Sequence, residues 1–352
     1  MILRCPACLA LCALVLACGK PSGDGPEESV PGQAFAKGAD ISWVTELESK
    51  GYKFYNAAGQ ERECTALMKE LGANAIRLRV WVDPAGGWNG KADVLAKAKR
   101  AQALGMKLLI DFHYSDSWAD PGKQTVPAAW KNMNPTEMAA AVKPHTQEVL
   151  QALKGAGADV AWVQVGNEVT AGMLWESGRV AGTSVGEFVR YFHAGREAVQ
   201  AVYPQARVIL HLDNGWNLST LNWFLSLMKG HALEYDILGL SLYPSYWEGG
   251  AYPDWKPRVQ QFVSNLPSLH QASGKPVMLV EFGMPASEPE KAREALAYLF
   301  TNTRSLTYFC GLFYWEPEAE HERCGYDYGA FSGGRPTVAL EPFGNSIKMT
   351  IL

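Results

Sequence analysis

The chain has 352 residues, 47% of them hydrophobic, 11% aromatic and 19% charged, a balance that supplies a large core and argues against disorder. Its 32 basic residues against 36 acidic ones leave a net charge of −4 with no basic tract, which disfavours nucleic acid and suits a neutral ligand. The 12 Trp, 14 Tyr and 13 Phe supply flat apolar faces of the kind on which sugar rings stack, besides their ordinary use in filling a core.

The first elements stand outside the fold. Arg4 gives a positive start, the run from Cys8 to Leu16 is apolar but too short to span a bilayer, and Val15-Leu16-Ala17-Cys18 follows. This resembles a bacterial lipoprotein signal, with residues 1–17 removed and Cys18 lipidated; an ordinary secretory signal cleaved nearby is the alternative. Both place the mature protein outside the cytoplasm, the first as a membrane lipoprotein. Residues 18–34 are poor in apolar groups and read as a tether, and residues 35–352 as one catalytic domain. Of the cysteines left in that body, Cys64, Cys310 and Cys324, at most two can pair, so any disulfide is left open.

Within the body, short apolar or β-branched runs alternate with helical patterns. The strand candidates are Phe35 to Ser42, Ala75 to Val82, Lys107 to His113, Ala161 to Asn167, Arg207 to Asp213, Ile237 to Tyr243, Val277 to Phe282 and Gly311 to Trp315. Helices are expected at Glu61 to Leu71, Lys91 to Leu104, Thr136 to Lys154, Val185 to Val202, Leu221 to Lys229, Trp255 to Ser273 and Glu288 to Thr303. Gly72, Gly105, Gly155 and Gly274 suit their C-caps. Strand then helix, eight times, predicts an α/β fold of the (β/α)8 TIM barrel type, with a doubly wound open sheet as the rival.

Side-chain parity favours the barrel. Ile76, Leu78 and Val80 oppose Arg77, Arg79 and Trp81; Leu108, Ile110 and Phe112 oppose Leu109, Asp111 and His113. Val208, Leu210 and Leu212 oppose Ile209, His211 and Asp213, and Leu238, Leu240 and Leu242 oppose Gly239, Ser241 and Tyr243. One face is apolar and suits a helix layer; the other gathers polar groups toward the strand C-terminus, where a barrel does its chemistry. Two carboxylates, Glu168 and Glu281, interrupt apolar strands four and seven there. An unpaired buried carboxylate is costly, so each is either matched by Arg77 or Arg79 or used in a cleft, and a pair across a barrel mouth is the apparatus of glycoside hydrolysis.

These segments together resemble glycoside hydrolase family 53, the endo-β-1,4-galactanases. The resemblance is carried by Gly38-Ala39-Asp40-Ile41-Ser42, Arg77-Leu78-Arg79-Val80-Trp81, Asp111-Phe112-His113-Tyr114-Ser115-Asp116 with Trp118-Ala119-Asp120-Pro121, Val163-Gln164-Val165-Gly166-Asn167-Glu168 and Phe313-Tyr314-Trp315-Glu316-Pro317. It implies a retaining endo-hydrolase of β-1,4-galactan or type I arabinogalactan with Glu168 as acid/base and Glu281 as nucleophile. It also implies Arg77 beneath Glu281 keeping it ionised, Asn167 on the sugar 2-hydroxyl, Tyr243 on the nucleophile, Trp315 as floor, and His113, His211 and Asn214 as lining. Trp81 and Trp247, with Trp118 and Trp216, are candidate stacking platforms, and Asp111 a structural partner for a barrel arginine. The expected form is a monomer without cofactor or metal, acting on a polysaccharide. Some bacterial members carry a calcium-binding insertion after strand seven; here Gly283 runs almost directly into the Glu288 helix, and the acidic stretch Glu316, Glu318, Glu320, Glu322 and Asp327 reads as a solvated loop. A hydrolase of mannan or xylan and a non-catalytic glycan-binding lipoprotein are the other functions compatible with the chain.

Overall fold

The computed structural model describes residues 28–30 and 33–344; the signal segment and Cys18 lie outside the described residues. Eight parallel strands close into a barrel: β1 (Ala36–Asp40), β2 (Ala75–Val80), β3 (Lys107–Phe112), β4 (Val160–Val165), β5 (Arg207–Leu212), β6 (Ile237–Leu242), β7 (Val277–Phe282) and β8 (Phe309–Trp315). Each pairs with its neighbours in chain order, and β8 pairs with β1. The chain enters from a small antiparallel hairpin, Glu28–Val30 with Gln33–Ala34, directly before β1. The barrel is wrapped by α1 (Val44–Ser49), α2 (Cys64–Glu70), α3 (Lys91–Ala103), α4 (Pro135–Gly155), α5 (Val185–Val202), α6 (Leu218–Gly230), α7 (Trp255–Ser273) and α8 (Pro289–Thr303). No helix among the described residues is long and apolar enough to cross a membrane.

The parity argument holds strand by strand. Ile76, Leu78, Leu108, Ile110, Val208, Leu210, Leu238 and Leu240 pack outward against the helices. Ala75, Leu109, Trp162, Ile209, Met278, Val280 and Phe313 form a separate apolar cluster inside the barrel. That plug depends on a glycine: a Cβ on Gly38 would lie 2.1 Å from the Phe313 ring, so only glycine leaves β8 room to fill the barrel. Local signals start the helices. Asn134 and Glu137 form a reciprocal capping box with Pro135 in the first turn of α4, and Asp254 caps α7.

Several expectations are corrected. Glu61 and Arg62 do not begin a helix but pair with Phe54 and Tyr55 in a hairpin, and α2 begins at Cys64 behind the Glu63 cap. Gly155 lies within α4; the residue past its end with positive φ is Gly157, at 75°. Two of the wrapping helices, α1 and α2, follow β1, and the helix that would follow β8 in an ideal barrel is reduced, among the described residues, to the four-residue turn His321–Cys324. A six-residue 3-10 segment, Val338–Phe343, takes its place between α8 and α2, where Phe343 packs on Phe300 and accepts from the Lys37 ammonium at 2.9 Å. Cys64, Cys310 and Cys324 are free thiols.

Candidate active site

The polar residues predicted to face inward do converge at the C-terminal ends of the strands. Positive φ is uncommon for a residue with a side chain, yet Tyr114, Glu168, Asn214 and Glu316 adopt φ of 46–49° just past β3, β4, β5 and β8. Backbone strain of this kind concentrates where geometry is over-determined for a task. Glu281 reaches the interior by a different device. Met278 and Val280 already face inward, so alternation alone would turn Glu281 outward; the β6–β7 register slips between Leu240 and Ser241, setting Ser241 opposite Glu281, and this bulge brings the carboxylate in.

Arg77, on β2 and without exposed surface, organises the floor. Its guanidinium donates to Asp40 Oδ2 at 2.6 Å, Asp111 Oδ2 at 2.9 Å, Glu281 Oε1 at 2.7 Å, Asn167 Oδ1 at 3.0 Å and Gln164 Oε1 at 2.8 Å. Burial works against its charge, but Asp111, Glu281 and Asp40 outweigh that and raise its pKa. The Tyr243 hydroxyl donates to the other Glu281 oxygen at 3.0 Å. One carboxylate oxygen each of Glu168 and Glu281 and a ring nitrogen of His211 lie within 4.8 Å of one another, the one such trio among the described residues. Both His211 nitrogens are already engaged, by Gln164 and the Glu168 amide on one side and Ser241 on the other, which leaves the imidazole no free nitrogen in this arrangement.

Both carboxyls are shifted upward. Burial pushes Glu281 up to about 7, and Arg77, placed beneath it as expected at 2.7 Å, pulls toward the ionised form while being shared with Asp111 and Asp40. Burial, Glu281 and Asp213 push Glu168 well above the usual range.

The remaining predicted residues fall into two groups. Arg77 and His211 are sealed, and Asn167 and His113 nearly so. The first two cannot touch a ligand in this form and act as supports. His113 Nδ1 accepts from Trp81 Nε1 at 3.3 Å while Nε2 faces Asp111 at 3.0 Å, so it orients Trp81, and Asn167 Nδ2 is tied to the Ala119 carbonyl. Trp81, Tyr243 and Trp315 are half-buried, and Asn214 and Trp247 are exposed. Trp216 lies under the Arg258 guanidinium at 4.7 Å and anchors a loop instead of offering a platform.

The sequence reading missed Trp43, Tyr246, Tyr326 and Tyr328. Trp43, Trp118 and Trp315 meet edge to edge at 5.3–5.8 Å, with Tyr326 on Trp315 at 4.7 Å, as a continuous aromatic wall. On the β6 side Tyr246 stacks on Tyr328 at 5.3 Å beside Trp247 and Tyr252. The two clusters join through Tyr326 and Tyr328 at 5.8 Å into one aromatic lining, which meets Tyr243 beside Glu281. Behind the wall the buried Arg79 guanidinium lies over Trp43, Trp81 and Trp118 at 4.3–5.3 Å, which compensates its unpaired Nε and Nη2.

Arg79 also overturns the reading of the acidic loop as solvated. It pairs with Glu316, and Glu316 and Glu318 have no exposed surface. Glu320 accepts from the Gly333 and Gly334 amides, and Asp327 faces His321; only Glu322 is free of such a task and open to solvent. Both Glu318 carboxylate oxygens are buried without a hydrogen-bond partner; burial drives Glu316 to about 7, and burial together with the nearby Glu316 drives Glu318 well above its usual range. Carboxyls raised in this way hold protons that the unfolded chain has released, so their contribution is complete below about pH 4.5 and is lost as pH rises through 7. His145, pushed down to about 4 by burial, and His211 act in the opposite sense, but only below the unfolded histidine value of about 6.5. From pH 6.5 to 8 the melting temperature should therefore fall. Glu318→Gln should flatten that slope by up to about 1.4 kcal/mol per pH unit, one proton's worth, and melting curves of both proteins across this range check it.

Residues 36–336 match the family model described as Glycosyl hydrolase family 53. The arabinogalactan endo-β-1,4-galactanase of Thermothelomyces thermophilus is 32% identical over 308 residues, 81% of this chain and 90% of that protein. The endo-β-1,4-galactanase of Bacillus subtilis is 34% identical over 255 residues, 70% of this chain and 56% of that protein. A solved structure of fungal β-1,4-galactanases superposes with a TM-score of 0.77 at 30% identity, covering 87% of this chain and 98% of that one.

Proposed function

The chain belongs to glycosyl hydrolase family 53 and is a glycoside hydrolase, and from that premise we propose that it cleaves β-1,4-galactan endo-fashion, with retention, using Glu281 as nucleophile and Glu168 as acid/base. The observation that carries this reading is the carboxyl pair, with oxygens within 4.8 Å of each other. Retaining enzymes hold their carboxyl groups about 5–5.5 Å apart, whereas an inverting pair needs about 6.5–9.5 Å to admit water.

In this mechanism Glu281, oriented by Arg77 and Tyr243, attacks the anomeric carbon while Glu168 gives its proton to the departing glycosidic oxygen. A covalent galactosyl ester forms on Glu281 and the chain beyond leaves as an alcohol. Glu168, now ionised, takes a proton from water; the water attacks the anomeric carbon and Glu281 is released as carboxylate. The upward push on Glu168, which lacks a direct arginine contact, suits the acid, and the Arg77 contact suits the nucleophile. Asn167 and Arg77 brace the floor, and the continuous aromatic lining suits a neutral polymer bent by its axial O4 linkages. The names of the relatives favour galactan over mannan or xylan.

The test is incubation with linear galactan, mannan and xylan, with fresh products followed by NMR. Galactan oligomers should appear first as the β-anomer; an initial α-anomer, or activity on mannan or xylan alone, overturns the proposal. The lipoprotein reading is proposed on Cys18 and the apolar run before it. Cys18→Ala should leave the membrane fraction and become soluble with full activity, as membrane fractionation of the two forms will check.

A further inference from the structure

Glu168 stands in the left-handed region, at φ 46° and ψ 56°, a conformation that a residue with a side chain resists, so its surroundings must hold it there. The backbone torsions that set the direction of its side chain, ψ of Asn167 and φ of Glu168, flank a single peptide plane. Both poles of that plane are held. The Glu168 amide donates to His211 Nδ1 at 3.2 Å, and the Asn167 carbonyl accepts from Gln124 Nε2 at 2.9 Å. A backbone N–H can only donate, so His211 Nδ1 is bare and accepts; burial, and then Arg77, keep the ring neutral and able to do this. The orientation of the Gln124 amide follows in the same way. Its nitrogen lies 3.1 Å from the Asp120 carbonyl and 2.9 Å from the Asn167 carbonyl, two acceptors that only the nitrogen can serve.

Gln124 is 2% exposed in the loop between β3 and α4, and its own place is fixed. The Asp120–Lys123 turn before it is closed by reciprocal backbone bonds of 2.8 and 2.9 Å, and its main-chain carbonyl accepts at 2.9 Å from the amide of Trp175, in the loop that follows Glu168. Its Oε1, by contrast, is buried with no partner among the described residues. An unpaired buried acceptor is destabilising, and an apolar side chain of the same length would avoid it, so what the amide contributes at this place is its donor. We propose that Gln124 is a positioning residue for the acid/base, clamping with His211 the two poles of the Asn167–Glu168 peptide and so aiming the Glu168 carboxyl at the glycosidic oxygen. This rests on the reading of Glu168 as the acid/base. With one pole released, the peptide rotates to relieve the left-handed strain, and the carboxyl leaves the line of proton transfer. The same loop holds the Asn167 side chain through the Ala119 carbonyl, so it sets both residues at the end of β4.

Gln124→Met keeps the length of the side chain and removes the donor. Its kcat/KM on galactan, whose leaving group needs a proton, should fall by roughly 10²-fold, while kcat/KM on an aryl β-galactobioside with an acidic phenol, whose leaving group needs none, should stay within about threefold of wild type. Loss of a merely structural contact lowers both alike. An equal loss on the two substrates, or a loss of less than about threefold on galactan, therefore overturns the role. Amide hydrogen exchange of the wild-type protein, followed by NMR, tests the clamp without reference to catalysis and without a variant that has to fold. The Glu168 amide should exchange as slowly as the amides of β4; exchange at the rate of the exposed loops overturns the proposal. Glu168→Ala, assayed on the same two substrates, separates the proposal from the reading beneath it. If that variant loses activity on both alike while the Glu168 amide of the wild type exchanges slowly, the acid role fails and the clamp on the peptide survives it.

Discussion

Glu281→Ala loses galactan turnover by on the order of 10⁵-fold, as removal of a nucleophile in a cooperative site does. The residual protein binds substrate but cannot form the ester. Azide enters the vacated space and attacks the anomeric carbon from the same side, giving an α-galactosyl azide from an activated β-galactoside. Glu168→Ala behaves differently: it loses about 10²–10⁴-fold on galactan, retains most activity on substrates with acidic leaving groups, and gives a β-azide through the intact Glu281 ester. Stopped assays and NMR of the azide products separate the two roles. A Glu281→Ala protein with more than a hundredth of wild-type turnover refutes the assignment.

Arg77→Ala is expected to be the most damaging substitution for the fold. The side chain serves Asp40, Asp111 and Glu281 at once with no exposed surface, so its removal leaves three buried carboxylates uncompensated. Breaking one buried pair costs about 3–5 kcal/mol, and the protein should melt roughly 10 °C lower or fail to accumulate as soluble material. Lysine should not rescue it, because a single ammonium cannot serve diverging partners as the guanidinium fork does. Glu281→Ala, by contrast, removes one negative charge from a cluster with an excess of them and should melt no lower than wild type. Melting curves of the three variants distinguish the support from the reacting group.

The fold was legible because its signals are local and repeated. Outward Leu and Val rows in β2, β3, β5 and β6 alternate with polar residues, and the strand limits fall within two residues of those expected. Glu168 was legible as a carboxylate at a strand end. The inward turn of Glu281 was not, since it depends on a bulge that no alternation pattern contains. The buried state of Glu316 and Glu318 was equally hidden: five acids in a short stretch look solvated, and the partner that holds Glu316 is Arg79, more than two hundred positions upstream. The reduced helix after β8 illustrates the same limit, because Val338–Phe343 fills that place by contacts to α8 and Lys37 and not by a helical repeat.

The chain enters β1 from the hairpin at Glu28–Ala34, at the end of the barrel opposite the carboxyl pair. A lipid at Cys18, as proposed, would therefore attach through a tether that joins the back of the barrel and would leave the cleft end free of the anchor. A long polysaccharide could then thread past from either side without the bilayer limiting its length, and the exposed rings of Tyr246 and Trp247 would meet sugar before they met lipid. Moored through the loop that carries those rings, the same barrel would bury its own entrance in the headgroups.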